Sequence, residues 1–115
     1  MQVQQGGLAP TYLEPEELRR RLNHGEPFSI IDARTPGNYD ASGFRLPGAI
    51  RMPSPQLGNR LQEIPRGRTP VLIADPHEAH ALAVTLMELG FTDVYLIEGG
   101  FEAWRRAGGL VEALP

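Results

Sequence analysis

Three short apolar runs constrain this chain more than anything else in it: Phe28-Ser29-Ile30-Ile31-Asp32, Val71-Leu72-Ile73 and Val94-Tyr95-Leu96-Ile97. None shows the strict polar/apolar alternation of a strand with one wet face. A strand apolar on both sides must be covered on both sides, and the arrangement that does so is a parallel sheet with helical crossovers.

The segments between the runs supply the helices. Glu14-Pro15-Glu16-Glu17-Leu18 sets a proline and acids in a first turn, Leu18 and Leu22 share a face, and Arg19, Arg20 and Arg21 lie toward the negative end before Asn23 and Gly25 stop the helix. Thr35 to Gly48 is rich in turn residues, with a one- or two-turn helix expected around Tyr39 and a strand near Ile50 to Met52. Leu57, Leu61 and Ile64 fit a short amphipathic helix. Ala79 to Leu89 is a helix whose core side is Ala79, Leu82, Ala83, Leu86 and Leu89, and Phe101 to Arg106 is a last helix stopped by Gly108-Gly109. Gly99-Gly100 permits a tight turn into it, and Phe101 and Trp104 are expected to pack on the sheet. Strand and helix alternate throughout, so the expectation is one α/β domain with a central, mostly parallel sheet and helices on both faces. It is expected to occupy residues 11–115, behind a flexible arm of residues 1–10 rich in Gln and Gly.

Composition removes several functions. The 115 residues suffice for one core and leave no room for a second. The net charge of −3 does not suit phosphate tracking, so no nucleic-acid partner is expected. No apolar run approaches the ~20 residues of a membrane span, and the start of the chain lacks a signal-peptide pattern; a cytoplasmic protein without membrane attachment is expected. All 11 basic residues are arginine. The chain has no cysteine, which excludes disulfides, thiolate metal sites and any internal thiol nucleophile.

Four stretches carry a family resemblance: Ile31-Asp32-Ala33-Arg34-Thr35-Pro36, Leu46-Pro47-Gly48-Ala49-Ile50 with Met52-Pro53, Pro70-Val71-Leu72-Ile73, and Glu98-Gly99-Gly100-Phe101-Glu102-Ala103-Trp104. Together they resemble a single-domain rhodanese-like protein. In that family the strand matching Val71 to Ile73 ends at a cysteine whose thiolate carries a persulfide, cradled by the amides of the following loop. Here the resemblance places Ala74, or with a shifted gap Asp75, at the cysteine's position, and the loop is at least a residue short. Neither residue holds a sulfane sulfur. The resemblance also implies a loop-organising pair, Asp32 with Arg34, and a histidine before the Pro-Gly-Ala turn; this chain instead reads Gly43-Phe44-Arg45-Leu46, one residue longer and without histidine.

The loop equivalent to the family's active-site loop is Ala74, Asp75, Pro76, His77, Glu78, Ala79 and His80. Its residues read as a helix start: Asp75 as the cap accepting from the amide of His77 or Glu78, Pro76 in the first turn, and Glu78 reaching back to the amide of Asp75. Such a cap closes the cradle to anions. Asp75 as a substitute nucleophile is disfavoured because no arginine follows before Leu89 to neutralise a phosphoryl group. Asp75, His77, Glu78 and His80 offer four potential metal ligands, but His77-Glu78-Ala79-His80 lacks the spacing of zinc hydrolases, so His77 and His80 remain weak metal candidates. Asp75 with Glu78 as a catalytic pair is explained more simply by capping. The arginines Arg45, Arg51, Arg60, Arg66 and Arg68 read as solvated surface. The expectation is a catalytically inactive rhodanese-like domain with no catalytic residue, no cofactor and no metal, binding or regulating another protein in sulfur-related or stress metabolism. The alternative is an enzyme of different chemistry built on Asp75, Glu78, His77 and His80.

Overall fold

A computed structural model describes residues 9–115. Most of the expected arm, residues 1–8, lies outside them; Pro10, its last residue, is already buried just before the first strand. The elements follow as β1 (Thr11–Leu13), α1 (Pro15–Asn23), β2 (Phe28–Asp32), α2 (Pro36–Ser42), β3 (Phe44–Arg45), β4 (Ile50–Arg51), two 3₁₀ segments (Ser54–Asn59 and Leu61–Glu63), β5 (Thr69–Ile73), α3 (Ala79–Glu88), β6 (Tyr95–Ile97), α4 (Gly100–Arg106) and β7 (Glu112–Ala113).

Five strands form one sheet in the order β1-β6-β5-β2-β4, and all four pairings are parallel. β2 and β5 run in register from Phe28 opposite Thr69 to Asp32 opposite Ile73. Successive side chains of a strand point to opposite faces, and both faces here are apolar. Ile31, Leu72 and Leu96 join Ala83 and Leu86 of α3 with Leu57, Ile64 and Phe91 on one side. Ile30, Val71, Ile73 and Ile97 join Leu18 of α1 and Phe101 and Trp104 of α4 on the other. This two-sided demand is why the runs look continuously hydrophobic in sequence.

α1 forms as its sequence dictates. Pro15 opens it after an extended Glu14, and Glu17 accepts from Arg20 and Arg21 one turn on. Those bonds, that to Arg20 first, hold the Glu17 carboxyl at about 2. α3 differs in one respect from its expected face: Leu89 is 47% exposed and Phe91 is buried in its place. The helix ends at Glu88, the amide of Phe91 folds back onto the Leu86 carbonyl, and its ring slides under the core while the Arg66 guanidinium covers it at 3.9 Å. The segment carrying Leu57, Leu61 and Ile64 is 3₁₀ rather than α-helical, although Leu57 and Ile64 do reach the core. Pro53 and Pro55 deprive its first turn of amides, so only the tighter local bonds form.

The extra residue before the Leu46-Pro47-Gly48 turn also finds its reason. Phe44 and Arg45 form a short antiparallel ribbon with Ala113 and Glu112, pinned by Arg45 Nε donating to Glu112 at 2.7 Å.

Candidate functional site

β5 lies at the centre of the sheet, so its carboxyl end opens between β6 and β2, where open parallel sheets bind ligands. Ala74 and Asp75 sit there, 6% and 3% exposed.

The loop does not close as the sequence suggests. Asp75 contributes its backbone rather than its side chain to the start of α3: its carbonyl accepts from the amides of Glu78 and Ala79, each at 3.0 Å. The residue at the cap position is Glu78, with no side-chain cap hydrogen bond, and Glu78 Oε1 is buried without a partner. The expected capping box is therefore absent. The short connection from β5 turns the Asp75 side chain toward α2, where the Thr35 amide donates to Oδ2 at 3.4 Å. Burial pushes the Asp75 carboxyl up, but hydrogen bonds from Asn38 and Thr35 and the nearby His77 outweigh it, and the group titrates below its ordinary range. It is an ionised, buried carboxylate. Among the described residues no salt bridge reaches it.

Nor does the structure assemble Asp75, His77, Glu78 and His80. His77 is exposed. His80 stacks on Tyr12 of β1, ring centroids 6.4 Å apart, with Tyr12 Oη 3.3 Å from Nδ1. Among the described residues no three histidine, aspartate or glutamate side chains converge as metal ligands.

Asp32 and Arg34 are a buried pair, 1% and 4% exposed. Arg34 donates from Nε at 2.9 Å and Nη2 at 2.7 Å to the two carboxylate oxygens. Its remaining bonds go to Ser42 Oγ and the Phe44 carbonyl, both at 2.9 Å, and its plane covers the Phe101 ring at 3.9 Å. One side chain thus ties β2 to α2, β3 and α4. Arg51, read from sequence as surface, is part-buried: it donates to the carbonyls of Asp32 and Arg34 and lies 3.9 Å over Tyr39. Burial pulls its pKa down, with Asp32 opposing.

Two cavities flank Ala74 and Pro76. One, about 330 Å3, is walled by Arg34, Asn38, Ser42, Asp75, Phe101 and Glu102 among others; the second, about 150 Å3, reaches Tyr12, Ala79 and Leu96. Gly99 and Gly100 border both, with φ of +80° and +72°, and a Cβ on Gly99 would lie 2.6 Å from that of Ala103. No sequence pattern marks Tyr12, Asn38, Ser42 or Glu102 as site residues. They are ordinary polar residues made neighbours by chain crossings, and no spacing announces them.

The family model of rhodanese-like domains matches residues 14–107. A sulfurtransferase of Allochromatium vinosum is 31% identical over 97 residues, which cover 84% of this chain and 89% of that protein. The protein named "Probable adenylyltransferase/sulfurtransferase MoeZ" of Mycobacterium tuberculosis is 33% identical over 98 residues, 82% of this chain but only 24% of its own length. Among solved structures, the rhodanese-like domain of the Alr3790 protein of Anabaena sp. superposes with a TM-score of 0.76 at 25% identity, covering 93% of this chain and 81% of that one. The chain belongs to the rhodanese-like domain family, is homologous to sulfurtransferases, and has no cysteine.

Proposed function

We propose that this rhodanese-like domain carries no sulfur on its own residues and serves as a binding or regulatory module through the surface around Ala74 to His80. The observation that carries the reading is the carboxyl end of β5: a buried alanine and an ionised aspartate stand there in a chain without cysteine. The amides of Glu78 and Ala79 are occupied by the Asp75 carbonyl, and a fixed negative charge beside them repels thiosulfate. The relatives named as sulfurtransferases support a setting in sulfur-related metabolism; a role in stress metabolism and a cytoplasmic location, the latter testable by fractionation, belong to the same proposal.

Thiosulfate-to-cyanide transfer is the first test. The expected rate equals that of a heat-killed control, and transfer well above it overturns the reading. For the binding half, a photo-crosslinker placed at exposed His77 should capture one partner from cell extract that a crosslinker at Glu26, in the turn after α1, does not. Equal capture at both positions refutes a docking role for this surface.

A further inference from the structure

We propose that the cavity beside Asp75 binds a primary alkylammonium group, so that the site where relatives are expected to hold an anionic sulfur has exchanged an anion for a cation. This deepens the binding role proposed above and rests on it only in treating the site as free of sulfur chemistry.

Asp75 is 3% exposed and borders a cavity of about 330 Å3. Buried charges in proteins are ordinarily paired or bound to a counter-charge. Asp32, the other buried carboxylate, obeys this rule through Arg34 at 2.7 Å. Asp75 has no such ion pair among the described residues: it is met by the Thr35 amide at 3.4 Å, by the side chains of Asn38 and Thr35, and by His77 only at a distance beyond a salt bridge.

The cavity wall offers an anion no free cationic side chain. Its one basic residue, Arg34, has both edges of its guanidinium turned to Asp32, Ser42 and the Phe44 carbonyl. Glu102 at the rim, its side chain 60% exposed, is paired with Arg105 at 3.6 Å, which leaves Asp75 as the carboxylate of the wall without an ion pair.

The choice of ammonium over guanidinium follows from the acceptors. A guanidinium seeks two oxygens side by side and a flat face to stack on. The Thr35 amide already uses Asp75 Oδ2, and Arg34 already covers the Phe101 ring. A carboxylate already held by Asn38 and Thr35, beside Ala41, Ala74 and the two glycines, leaves room for a compact charge on an apolar stem rather than for a two-pronged partner. The chain has no lysine, so a lysine occupant belongs to a different protein rather than to a second copy of this one.

The test is titration of the isotope-labelled protein, at low ionic strength and pH 7, with n-butylammonium, with the blocked peptide acetyl-Gly-Lys-Gly-amide, and with butyrate and n-butanol as controls. Saturable amide shifts at Ala74, Gly99 and Gly100 with either amine, absent with both controls, are expected. Tighter binding of the peptide assigns the site to a partner's lysine, and tighter binding of butylammonium assigns it to a free amine. Asp75→Asn should weaken binding at least tenfold. Should that variant lose its fold, Ala41→Leu, on an exposed position of α2 lining the cavity, blocks the space without touching the carboxylate and should weaken binding as well. No saturation with either amine, equal shifts with butanol, or a folded Asp75→Asn protein that binds as before overturns the inference. A protein that transfers no sulfur and binds no amine sinks this inference alone; one that transfers sulfur sinks the functional reading above.

Discussion

Replacing Arg34 with methionine tests whether one buried cation holds the site together. The substitution keeps the volume and removes the charge. Asp32, 1% exposed, then loses its bidentate partner, and the nearest remaining cation is Arg51 with Nη1 3.8 Å from Oδ1. Breaking a buried pair from one side costs about 3–5 kcal/mol. Partial compensation by Arg51 favours the lower end of that range, about 3 kcal/mol, still a large share of the roughly 5–15 kcal/mol that holds a domain together. For a domain near this size about 4 °C is lost per kcal/mol, so the melting temperature should fall by about 12 °C. Urea denaturation followed by circular dichroism measures the same loss as a shift in midpoint at constant slope. Arg34→Lys keeps the charge but surrenders the fork that reaches Asp32, Ser42 and Phe44 together, and should lose more than half as much. The double variant Asp32→Asn with Arg34→Met should be more stable than Arg34→Met alone, because the stranded charge is gone. A cost below about 1 kcal/mol for Arg34→Met, or strict additivity in the double variant, would refute the argument.

Three further outcomes are expected. The Asp75 carboxyl titrates below its unfolded value, so its contribution is complete above about pH 4 and disappears as pH falls through the lower folded value; Asp75→Asn should flatten the acid limb of the melting profile, and an unchanged limb would show the carboxylate to be uncoupled from folding. Gly109→Ala places a Cβ 2.1 Å from Trp104 Cε2 and should cost about 1–3 kcal/mol by overpacking, with a red-shifted tryptophan emission as the ring leaves its 2.9 Å bond to the Leu110 carbonyl; unaltered emission and stability contradict it. Ala74→Cys should not create a sulfurtransferase, since Ala74 is buried and the new thiol would stand next to a carboxylate that disfavours its thiolate; thiosulfate-to-cyanide turnover by that variant would show the loop to be competent after all.

The sheet and its covering helices were readable because apolar runs must be hidden on both sides, and Ile30 with Ile31, or Leu72 with Ile73, report both faces at once. What escaped were elements too short to show a period. β1, β3 and β7 have two or three residues each, and their pairing depends on partners more than thirty positions away. The Asp75 cap failed for a related reason. A local motif offers a local bond, whereas the short exit from β5 aimed the carboxylate at Thr35, 40 residues earlier in the chain. The Asp32–Arg34 pair could be anticipated from the resemblance, but its reach to Ser42, Phe44 and Phe101 could not. Leu89 was assigned to the core by helical spacing alone; Phe91, after the helix stop, won the place with a larger apolar surface.

The sheet order has a consequence for synthesis. β1 pairs with β6, so the strand that leaves the ribosome early waits for a partner emitted about eighty residues later, a closure that is entropically costly and kinetically slow. Until β6 emerges, β5 also has one bare edge, and the larger cavity at its end lacks Gly99, Gly100, Phe101 and Glu102 from its wall. Nascent chains stopped before Tyr95 should therefore remain open to proteases however well β2 and β5 have joined, and the site comes into being only once residues 95–102 have emerged.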